Sequence, residues 1–383
     1  MLYQPFGKTG ISLSKLGFGA MRLPMREEGE KNVVNYDLTT PMFHRAFELG
    51  VNYVDTAPYY CDGDSEVAVG KALKGWRDKV YLSTKNPIED DSGDHWRERL
   101  ERSLTKLDTD YIDFYHMWGI GLNTFQTRIT AKDGPLDAAR KALDEGLIKH
   151  LCFSFHDDPA NMAAILESGE FTSVLCQYNL LDQANAAGMA RARELGMGVI
   201  VMGPVGGGKL GCPSQVIKDL LERETHSSAE IALRFVLANP NVNMALSGME
   251  NIEQLEENVR VASVEGPLTD DEYTRVQAMI QETYRLRDLY CTGCKYCMPC
   301  PQGINIPHVF TLMNFHRVYN LTDYARKQYK ELLVPVDERK QPWMKGWGAD
   351  AGQCVECGEC EAKCPQKLKI IEQLKETRAV LNG

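Results

Sequence analysis

Eight of the chain's twelve cysteines lie in two short motifs in the last quarter of the sequence. The first motif is Cys291-x2-Cys294-x2-Cys297-x2-Cys300-Pro301, and the second is Cys354-x2-Cys357-x2-Cys360-x3-Cys364-Pro365. Three cysteines at this spacing, with a fourth before a proline, supply three thiolates to one [4Fe–4S] cubane and one thiolate to another. The second motif has this spacing, whereas the first is one residue shorter before its last cysteine.

The motifs predict two [4Fe–4S] clusters with crossed ligation. The expected ligands are Cys291, Cys294, Cys297 and Cys364 for one cluster, and Cys354, Cys357, Cys360 and Cys300 for the other. Zinc bound by paired C-x2-C knuckles is the alternative, but two pairs of cysteines do not explain runs of three followed by a proline. The four remaining cysteines are isolated, and we expect them to be small buried hydrophobes. They are Cys61, Cys152, Cys176 and Cys212.

Composition favours a soluble globular protein. The chain has 383 residues, a formal net charge of -10, 43% hydrophobic residues and 25% charged residues. This profile excludes a disordered or low-complexity chain. The acidic balance argues against a nucleic-acid-binding surface, which needs clustered lysine and arginine.

The start of the chain, MLYQPFGKTG, lacks the basic and apolar regions of a secretory signal. No stretch has the roughly 18 consecutive apolar residues that a membrane span needs. Because the cysteines are clustered and not spread as a disulfide framework, we predict a cytoplasmic protein that has no membrane partner.

Eight short apolar runs, with starts spaced by roughly 23 to 45 residues, alternate with helical patterns up to about residue 285. They lie at residues 16–22, 51–57, 80–85, 111–118, 150–155, 173–179, 198–204 and 243–248. This alternation predicts an α/β fold, a (β/α)8 TIM barrel. An open doubly wound sheet is the alternative, but the first strand lacks a complete G-x-G-x-x-G turn. We therefore expect the barrel at residues 1–286 and a smaller helical iron-sulfur domain at residues 287–383.

Acid-base groups follow two of the predicted strands. Asp55 ends the second strand, Tyr60 follows it, and Lys85 ends the third. The C-terminal ends of barrel strands hold the active site in this fold. A lysine ammonium near a tyrosine favours the phenolate, and an aspartate can hold that lysine charged. Each residue alone also fits packing or capping, and only their co-occurrence predicts catalysis.

Several pieces of residues 1 to about 285 resemble the aldo-keto reductase family in their order and spacing. They are FGKTGISLSKLGFGAMR, GVNYVDTAPYY, STK, YIDFY, GLIKHLCFSFHD, QYNLLD and GMENIEQLEEN. The resemblance implies that Tyr60 protonates a carbonyl oxygen while a nicotinamide delivers hydride, with Asp55 and Lys85 in support.

By position, the resemblance also implies a binding site for NAD(P)H. Ser154 and Gln177 match the residues that hold the carboxamide, and the segment from Gly248 to Asn258 matches the phosphate and adenosine end. Gly206 begins the run Gly206-Gly207-Gly208-Lys209, which fits either a phosphate cradle or a turn.

Two sets of departures from the family pattern weaken these expectations. Trp118 occupies the place of the family histidine, and His116 lies two residues earlier and about 7 Å deeper in the same strand. His116 fits a catalytic residue and a buried core histidine equally well. Trp118 has an indole N–H that can reach a substrate oxygen, although it cannot take up a proton.

The other departures lie at the cofactor. Gln254 replaces an arginine that binds the 2′-phosphate of NADPH, Met202 replaces an aromatic residue, and Phe155 replaces an asparagine beside Ser154. His156, just past the fifth strand, fits a loop contact better than a catalytic role, with Asp157 or Asp158 as the cap of a following helix.

Roughly the last 95 residues resemble helical ferredoxin-type dicluster domains. Together the two resemblances imply an enzyme, an iron-sulfur oxidoreductase that acts on a small carbonyl or hydroxyl compound. A ferredoxin or another electron carrier is an expected partner.

A hydride carries two electrons, whereas each cluster carries one. Three links between the barrel and the clusters are therefore open: a flavin, a substrate that accepts single electrons, or a partner ferredoxin. The alternative function is an electron-transfer or partner-binding subunit whose barrel has lost nicotinamide-dependent reductase activity.

Overall fold

The computed structural model describes residues 1–29, 31–206, 210, 227–288, 295, 297–339, 341–364 and 368–383. The predicted ligands Cys291 and Cys294, and the glycine-rich run from residue 207 onward, lie outside the described residues. The chain divides into two compact units. One comprises residues 1–207 and 232–268, and the other residues 208–231 and 269–383.

Eight parallel strands form a closed barrel in the first unit, which confirms the predicted fold. In chain order the strands of this unit are β1 (Tyr3–Pro5), β2 (Ser12–Ser14), β3 (Leu16–Gly19), β4 (Met25–Glu28), β5 (Lys31–Val34), β6 (Tyr53–Asp55), β7 (Tyr81–Pro87), β8 (Ile112–Ile120), β9 (Ile148–Phe155), β10 (Ser173–Gln177), β11 (Gly198–Met202) and β12 (Met244–Ser247). The barrel follows the order β3, β6, β7, β8, β9, β10, β11, β12 and closes on β3.

Alternate side chains of the strands fill the barrel interior. Tyr53, Phe114 and Cys152 belong to one buried cluster there, and they come from β6, β8 and β9. Because successive residues of a strand face opposite sides, Asp55 and His116, two positions further along, also face inward. The barrel thus places its polar residues above an apolar floor.

Two antiparallel hairpins lie outside the barrel and were not predicted. β1 pairs with β2, and β4 pairs with β5. Phe6, in the turn of the first hairpin, packs edge-on against Phe114 with ring centroids 5.3 Å apart. A side chain at Gly198 would collide with the Phe6 ring, which explains a glycine on that strand. The first hairpin therefore closes the end of the barrel opposite to the strand ends that carry Asp55 and Lys85.

Helices follow most of the barrel strands. They span Tyr36–Glu48, Ser65–Ala72, Gly93–Leu107, Leu122–Thr124, Pro135–Asp144, Met162–Leu166, Ala186–Glu194, Ser228–Ala238 and Ile252–Ala262. Ser92 caps Gly93–Leu107 by accepting from the backbone N–H of His95. Pro135 is the first residue of its helix, where the backbone N–H that proline lacks would have no partner within the helix. None of the helices among the described residues is long and apolar enough to span a bilayer.

The second unit is helical, as predicted for the C-terminal domain. Its helices are Asp270–Asp288, Ile306–Arg317, Thr322–Leu332, Glu359–Lys363 and Ile370–Leu381. Ile304 forms β-bridges with Gly348 and Ala349, which ties the segment after the first cysteine motif to the segment before the second. The boundary expected between residues 286 and 287 falls inside the helix Asp270–Asp288, and it stays a prediction.

Candidate active site and cluster cavity

A buried ion pair joins the ends of β6 and β7. Asp55 and Lys85 are each 2% exposed, and the Lys85 ammonium contacts the Asp55 carboxylate. Lys85 Nζ also donates to the carbonyl oxygen of Thr56 at 2.8 Å, and Ser83 Oγ donates to Asp55 Oδ1 at 2.8 Å. Buried charges persist only when such partners satisfy them. Ser83, the register partner of Asp55, is a site residue that sequence reasoning missed, although it lies two positions before Lys85 on the same strand face.

Tyr60 lies directly over this pair. It begins a 3-10 turn at Tyr60–Gly63, and the Lys85 ammonium is 4.8 Å from the centroid of its ring. The next two residues, Cys61 and Asp62, both have φ near 53°, a left-handed conformation that is uncommon for residues other than glycine. The tight turn thereby returns the chain to the helix Ser65–Ala72 and aims the Tyr60 ring at the strand ends.

The electrostatics of the pair suit a general acid. Burial raises the pKa of the Tyr60 phenol above its ordinary value, and the nearby Lys85 ammonium opposes this effect. Burial lowers the pKa of Lys85, but Asp55 and then Tyr60 outweigh burial, so that the pKa of Lys85 is raised. At neutral pH Tyr60 therefore holds its proton and Lys85 its charge.

Aromatic rings form one wall beside Tyr60. Trp118 packs edge-on against Tyr60, with ring centroids 5.7 Å apart and planes at 86°. Tyr59, which is 58% exposed, lies 5.5 Å from the same indole. The position of the family histidine is therefore filled by a flat apolar group that contacts the candidate acid.

His116 lies inside the barrel, below this wall. It is the register partner of Lys85 and has no exposed surface. Neither of its ring nitrogens makes a hydrogen bond of ordinary geometry within the described part of the chain, although the Phe153 backbone is close enough to interact with the ring. Burial, together with the Lys85 charge, lowers the pKa of His116 to about 3. The imidazole is neutral at pH 7 and has no proton to give as an imidazolium.

The residues expected at the nicotinamide lie near the ends of three neighbouring strands. Ser154 is buried on β9, and its Oγ accepts from the backbone N–H of Gly119 at 2.7 Å. Gln177 is exposed at the end of β10 and donates to Asp182 Oδ2 at 3.1 Å. Met202 is the register partner of Gln177 on β11. Phe155 is buried on the face opposite to Ser154, so this neighbour adds no polar group to the site. The donor and acceptor set fits the amide end of a nicotinamide.

The expected phosphate end lies where β12 meets the helix Ile252–Ala262. Asn258 is buried and donates to Ser247 Oγ at 3.2 Å, beside Gly248. Gln254 has a local structural role, since its Oε1 accepts from the backbone N–H of Glu250 at 2.9 Å while its own backbone N–H donates to Asn251. Asn251 thus caps the helix, and the Gln254 side chain reaches back past it to the preceding residue, which resembles a capping box. Gln254 therefore secures the helix start and supplies no positive charge to it.

His156 and the cap predicted beside it lie at the end of β9. The His156 side chain is exposed, and its backbone N–H donates to Ile120 at 3.2 Å. Asp158, not Asp157, caps the short helix Pro159–Asn161 by accepting from Ala160. Asp157 instead accepts from the backbone N–H of Leu122 at 2.9 Å.

In the second unit, cysteines of both motifs line one cavity. Its volume is about 380 Å³, counting space that opens to solvent. The sulfur-bearing residues around it are Cys297, Cys300, Cys354, Cys357 and Cys360. Ile306, Ile371 and Leu374 supply apolar walls, which suits a cluster whose potential depends on burial.

The cavity brings Cys300 of the first motif together with three cysteines of the second, the four ligands predicted for one [4Fe–4S] cubane. Cys297, predicted for the other cluster, also lines it. Cys357 is exposed, whereas Cys300, Cys354 and Cys360 are partly buried. Cys364, assigned to the other cluster, is partly buried as well. The donor set, five thiols around a mostly apolar space, fits an iron-sulfur cluster.

A closed parallel barrel with a phenol, an ammonium and a carboxylate at the C-terminal ends of its strands has the fold and the groups of an acid-base enzyme. Comparison with known proteins defines the family. The sequence model of the aldo/keto reductase family matches residues 15–281, so the chain belongs to this family and is an oxidoreductase. The model of a 4Fe-4S dicluster domain matches residues 290–369, which confirms an iron-sulfur domain at the C-terminal end of the chain.

Individual relatives cover the barrel. The chain is 27% identical to the uncharacterized oxidoreductase YqkF of Bacillus subtilis, over 73% of this chain and 96% of that protein. It is 27% identical to the NADH-specific methylglyoxal reductase of Escherichia coli, over 73% and 99%. Among solved structures, the holo form of aldo-keto reductase AKR11C1 from Bacillus halodurans is 28% identical and has a TM-score of 0.62, over 73% and 96%.

Proposed function

We propose that this protein is an iron-sulfur oxidoreductase that reduces a small carbonyl compound, or oxidises the corresponding alcohol, in its barrel. A nicotinamide dinucleotide is its hydride carrier, and two [4Fe–4S] clusters exchange electrons with a carrier such as a ferredoxin. The observation that carries the proposal is the buried contact of Asp55 with Lys85 beneath the Tyr60 ring. The proposal does not include a flavin.

The chain's own residues supply acid-base chemistry. Tyr60 donates its proton to the substrate oxygen, and the Lys85 ammonium stabilises the phenolate that remains. Asp55 holds Lys85 in place and keeps it charged, while Ser83 and Thr56 fix this pair by hydrogen bonds. A nicotinamide, when bound, supplies the hydride. In the oxidation direction Tyr60 takes the proton back.

The cofactor site is expected to use Ser154, Gln177 and Met202 at the nicotinamide, and Gly248 with Asn258 at the phosphate end. Gln254 gives no cation for a 2′-phosphate, and Glu253 adds a negative charge to the same helical turn. These two residues support NADH over NADPH. A relative named as an NADH-specific reductase is consistent with this preference.

The proposal for the second unit depends on its cysteine-lined cavity. Cys300, Cys354, Cys357 and Cys360 would hold one cluster, and Cys291, Cys294, Cys297 and Cys364 the other. Each cluster, when bound, passes one electron at a time. Hydride and the Tyr60 proton balance the reaction in the barrel, so the clusters exchange single electrons with an external one-electron carrier, which is the partner that we expect at this unit.

The test uses one anaerobic preparation of the full chain. About eight irons and eight sulfides per chain are expected for two cubane clusters. NADH should quench protein fluorescence with saturation and should be oxidised in the presence of small aldehydes, and Tyr60→Phe should abolish oxidation but not binding. Tyr59→Phe, one residue away and exposed, is the matched control. If neither NADH nor NADPH binds, the barrel has lost reductase function and the alternative, an electron-transfer subunit, replaces this proposal.

A further inference from the structure

A layer of polar side chains lies inside the barrel beneath Lys85. It is formed by residues that have no exposed surface, namely Tyr53, Ser83, His116, Cys152 and Ser173. We refer to these five residues as the polar layer. They come from five consecutive strands of the barrel, β6 to β10.

Strand register places the members of the polar layer side by side. Lys85 is paired with His116, His116 with Cys152, and Cys152 with Ser173. Partners across parallel strands point to the same side of the sheet, which here is the barrel interior. Tyr53 lies two residues before Asp55 on β6 and faces inward with it.

Four polar atoms of the layer have no well-formed hydrogen bond to the described part of the chain. They are Tyr53 Oη, His116 Nδ1, His116 Nε2 and Ser173 Oγ, none of which makes a hydrogen bond of ordinary geometry with the described residues. Their polar neighbours, Ser83 beside Tyr53, the Phe153 backbone beside His116 and Cys152 beside Ser173, make weak contacts only. Ser83, in contrast, donates to Asp55. A buried polar atom that lost its water on folding and gained no partner destabilises the folded state. Four such atoms in one layer therefore require an explanation.

These atoms are also electrostatic neighbours. Burial raises the pKa of Cys152 to about 12, and Ser173 partly offsets this rise. The pKa of Tyr53 is raised by burial and then by Asp55, with Ser83 acting in the opposite direction. The polar layer thus extends from the Asp55 carboxylate across the barrel to Ser173.

We propose that the polar layer binds ordered water inside the barrel, and that this water solvates the Asp55–Lys85 pair from below. A buried water needs two to four polar partners, and the layer offers such a set. A neutral imidazole has one donor and one acceptor nitrogen, so that His116 can bond to water at both ends of its ring. Tyr53 and Ser173 each offer a hydroxyl that can donate or accept.

The proposal makes His116 a positioning residue and not a catalytic one. Its water is expected to hydrate a buried ion pair whose further partners among the described residues are Thr56, Ser83 and the Tyr60 phenol. Only this consequence for catalysis depends on the proposed function. The water site itself depends on the barrel alone.

The sign of a stability change separates a hydrated layer from a dry one. Tyr53→Phe removes a single oxygen and preserves the ring. If the layer is hydrated, the variant removes a hydroxyl that binds the water, and we expect Tm to fall by about 2–4 °C. If Tyr53 Oη is dry and unpartnered, the same variant removes a destabilising group, and Tm rises. Tyr81→Phe, at the register partner of Tyr53 but outside the layer, is the matched control.

A second pair of variants covers the histidine. His116→Phe is expected to lower Tm, whereas His150→Phe, on the partly buried histidine of β9, is expected to have a smaller effect. A crystal structure at high resolution should show density within hydrogen-bond distance of both Tyr53 Oη and a His116 nitrogen, and this density should be lost in His116→Phe. A dry layer at that resolution, or a rise in Tm for both Tyr53→Phe and His116→Phe, would overturn the proposal. Because neither measurement uses turnover, a failed water site and a failed reductase are distinguishable.

Discussion

The indole of Trp118 packs edge-on against the phenol of Tyr60, with ring centroids 5.7 Å apart, where relatives of this barrel are expected to have a histidine. Trp118 cannot exchange protons at neutral pH, and His116 is buried too deeply and is too weakly basic to replace it. Proton transfer in the proposed reaction therefore depends on Tyr60, supported by Lys85. The flat wall of Trp118 and Tyr59 instead limits the shape of the substrate.

Removal of the Tyr60 hydroxyl should separate chemistry from binding. For Tyr60→Phe we expect kcat to fall by about 100- to 10,000-fold, the usual contribution of a general acid, with little change in the Kd for NADH. Steady-state kinetics and fluorescence titration measure these two quantities. Tyr59→Phe should retain most activity. Full turnover by Tyr60→Phe would rule out Tyr60 as the proton donor.

The buried ion pair should be sensitive to the loss of one partner. Lys85→Met leaves Asp55 as an unpaired buried carboxylate, and we expect the free energy of unfolding to fall by roughly 3–5 kcal/mol. Chemical denaturation followed by circular dichroism measures this change. The matched control is Lys74→Met, which breaks the exposed pair with Asp108 and should lower stability by less than about 1 kcal/mol. Equal effects of the two variants would show that Lys85 and Asp55 are not paired in the interior.

The depressed pKa of His116 predicts a pH dependence of stability. The unfolded chain takes up this proton near pH 6.5, whereas the folded chain does so only near pH 3. Between these values the unfolded state binds more protons, so the folded state loses stability as the pH falls, by up to about 1.4 kcal/mol per pH unit. His116→Phe removes this group, and its unfolding free energy should fall less steeply over the same range. Parallel slopes for the two proteins would contradict a neutral buried His116.

Cofactor preference should respond to charge at the helix Ile252–Ala262. Gln254→Arg places a guanidinium where relatives are expected to bind a 2′-phosphate, and a charge-assisted phosphate contact is stronger than a neutral one. We expect the Kd for NADPH to fall roughly tenfold relative to that for NADH. Gln254→Ala controls for the lost contact with Glu250, and it should weaken both cofactors equally. An unchanged ratio in Gln254→Arg would place the 2′-phosphate elsewhere.

The barrel could be predicted from the sequence because each of its strands is a short apolar run between helical patterns. The hairpins β1–β2 and β4–β5 could not, because strands of three or four residues show no reliable periodicity. Alternation along β8 was enough to place His116 inward. Its lack of partners depends on Tyr53, Cys152 and Ser173 from other strands, and no local pattern in the sequence reports such contacts.

The cysteines show the same limit in another form. The cysteine spacing predicts cubane ligands. It predicts Cys300 as a ligand of the second motif's cluster on the assumption that the first motif, one residue short, ligates like a full C-x2-C-x2-C-x3-C run. In the structure, Ile304 pairs with Gly348 and Ala349, and this bridge brings the end of the first motif to the second. Gln254 illustrates the opposite case, since an asparagine three residues before it is a local pattern that predicts a helix start, and Asn251 caps the helix by accepting from Gln254.

Crossed ligation leads to the last prediction, which concerns Cys300. If Cys300 completes the cluster of the second motif, Cys300→Ser should change the same electron paramagnetic resonance signal as Cys354→Ser, while Cys291→Ser should change the other signal. Iron content should fall by up to about half in each variant, since each removes a ligand from one of two cubanes. Cys176→Ala, a buried cysteine on β10, is the control and should leave both signals intact. A spectrum of Cys300→Ser that matches Cys291→Ser would show that each motif binds its own cluster, and the shared cavity around Cys300 would then need another explanation.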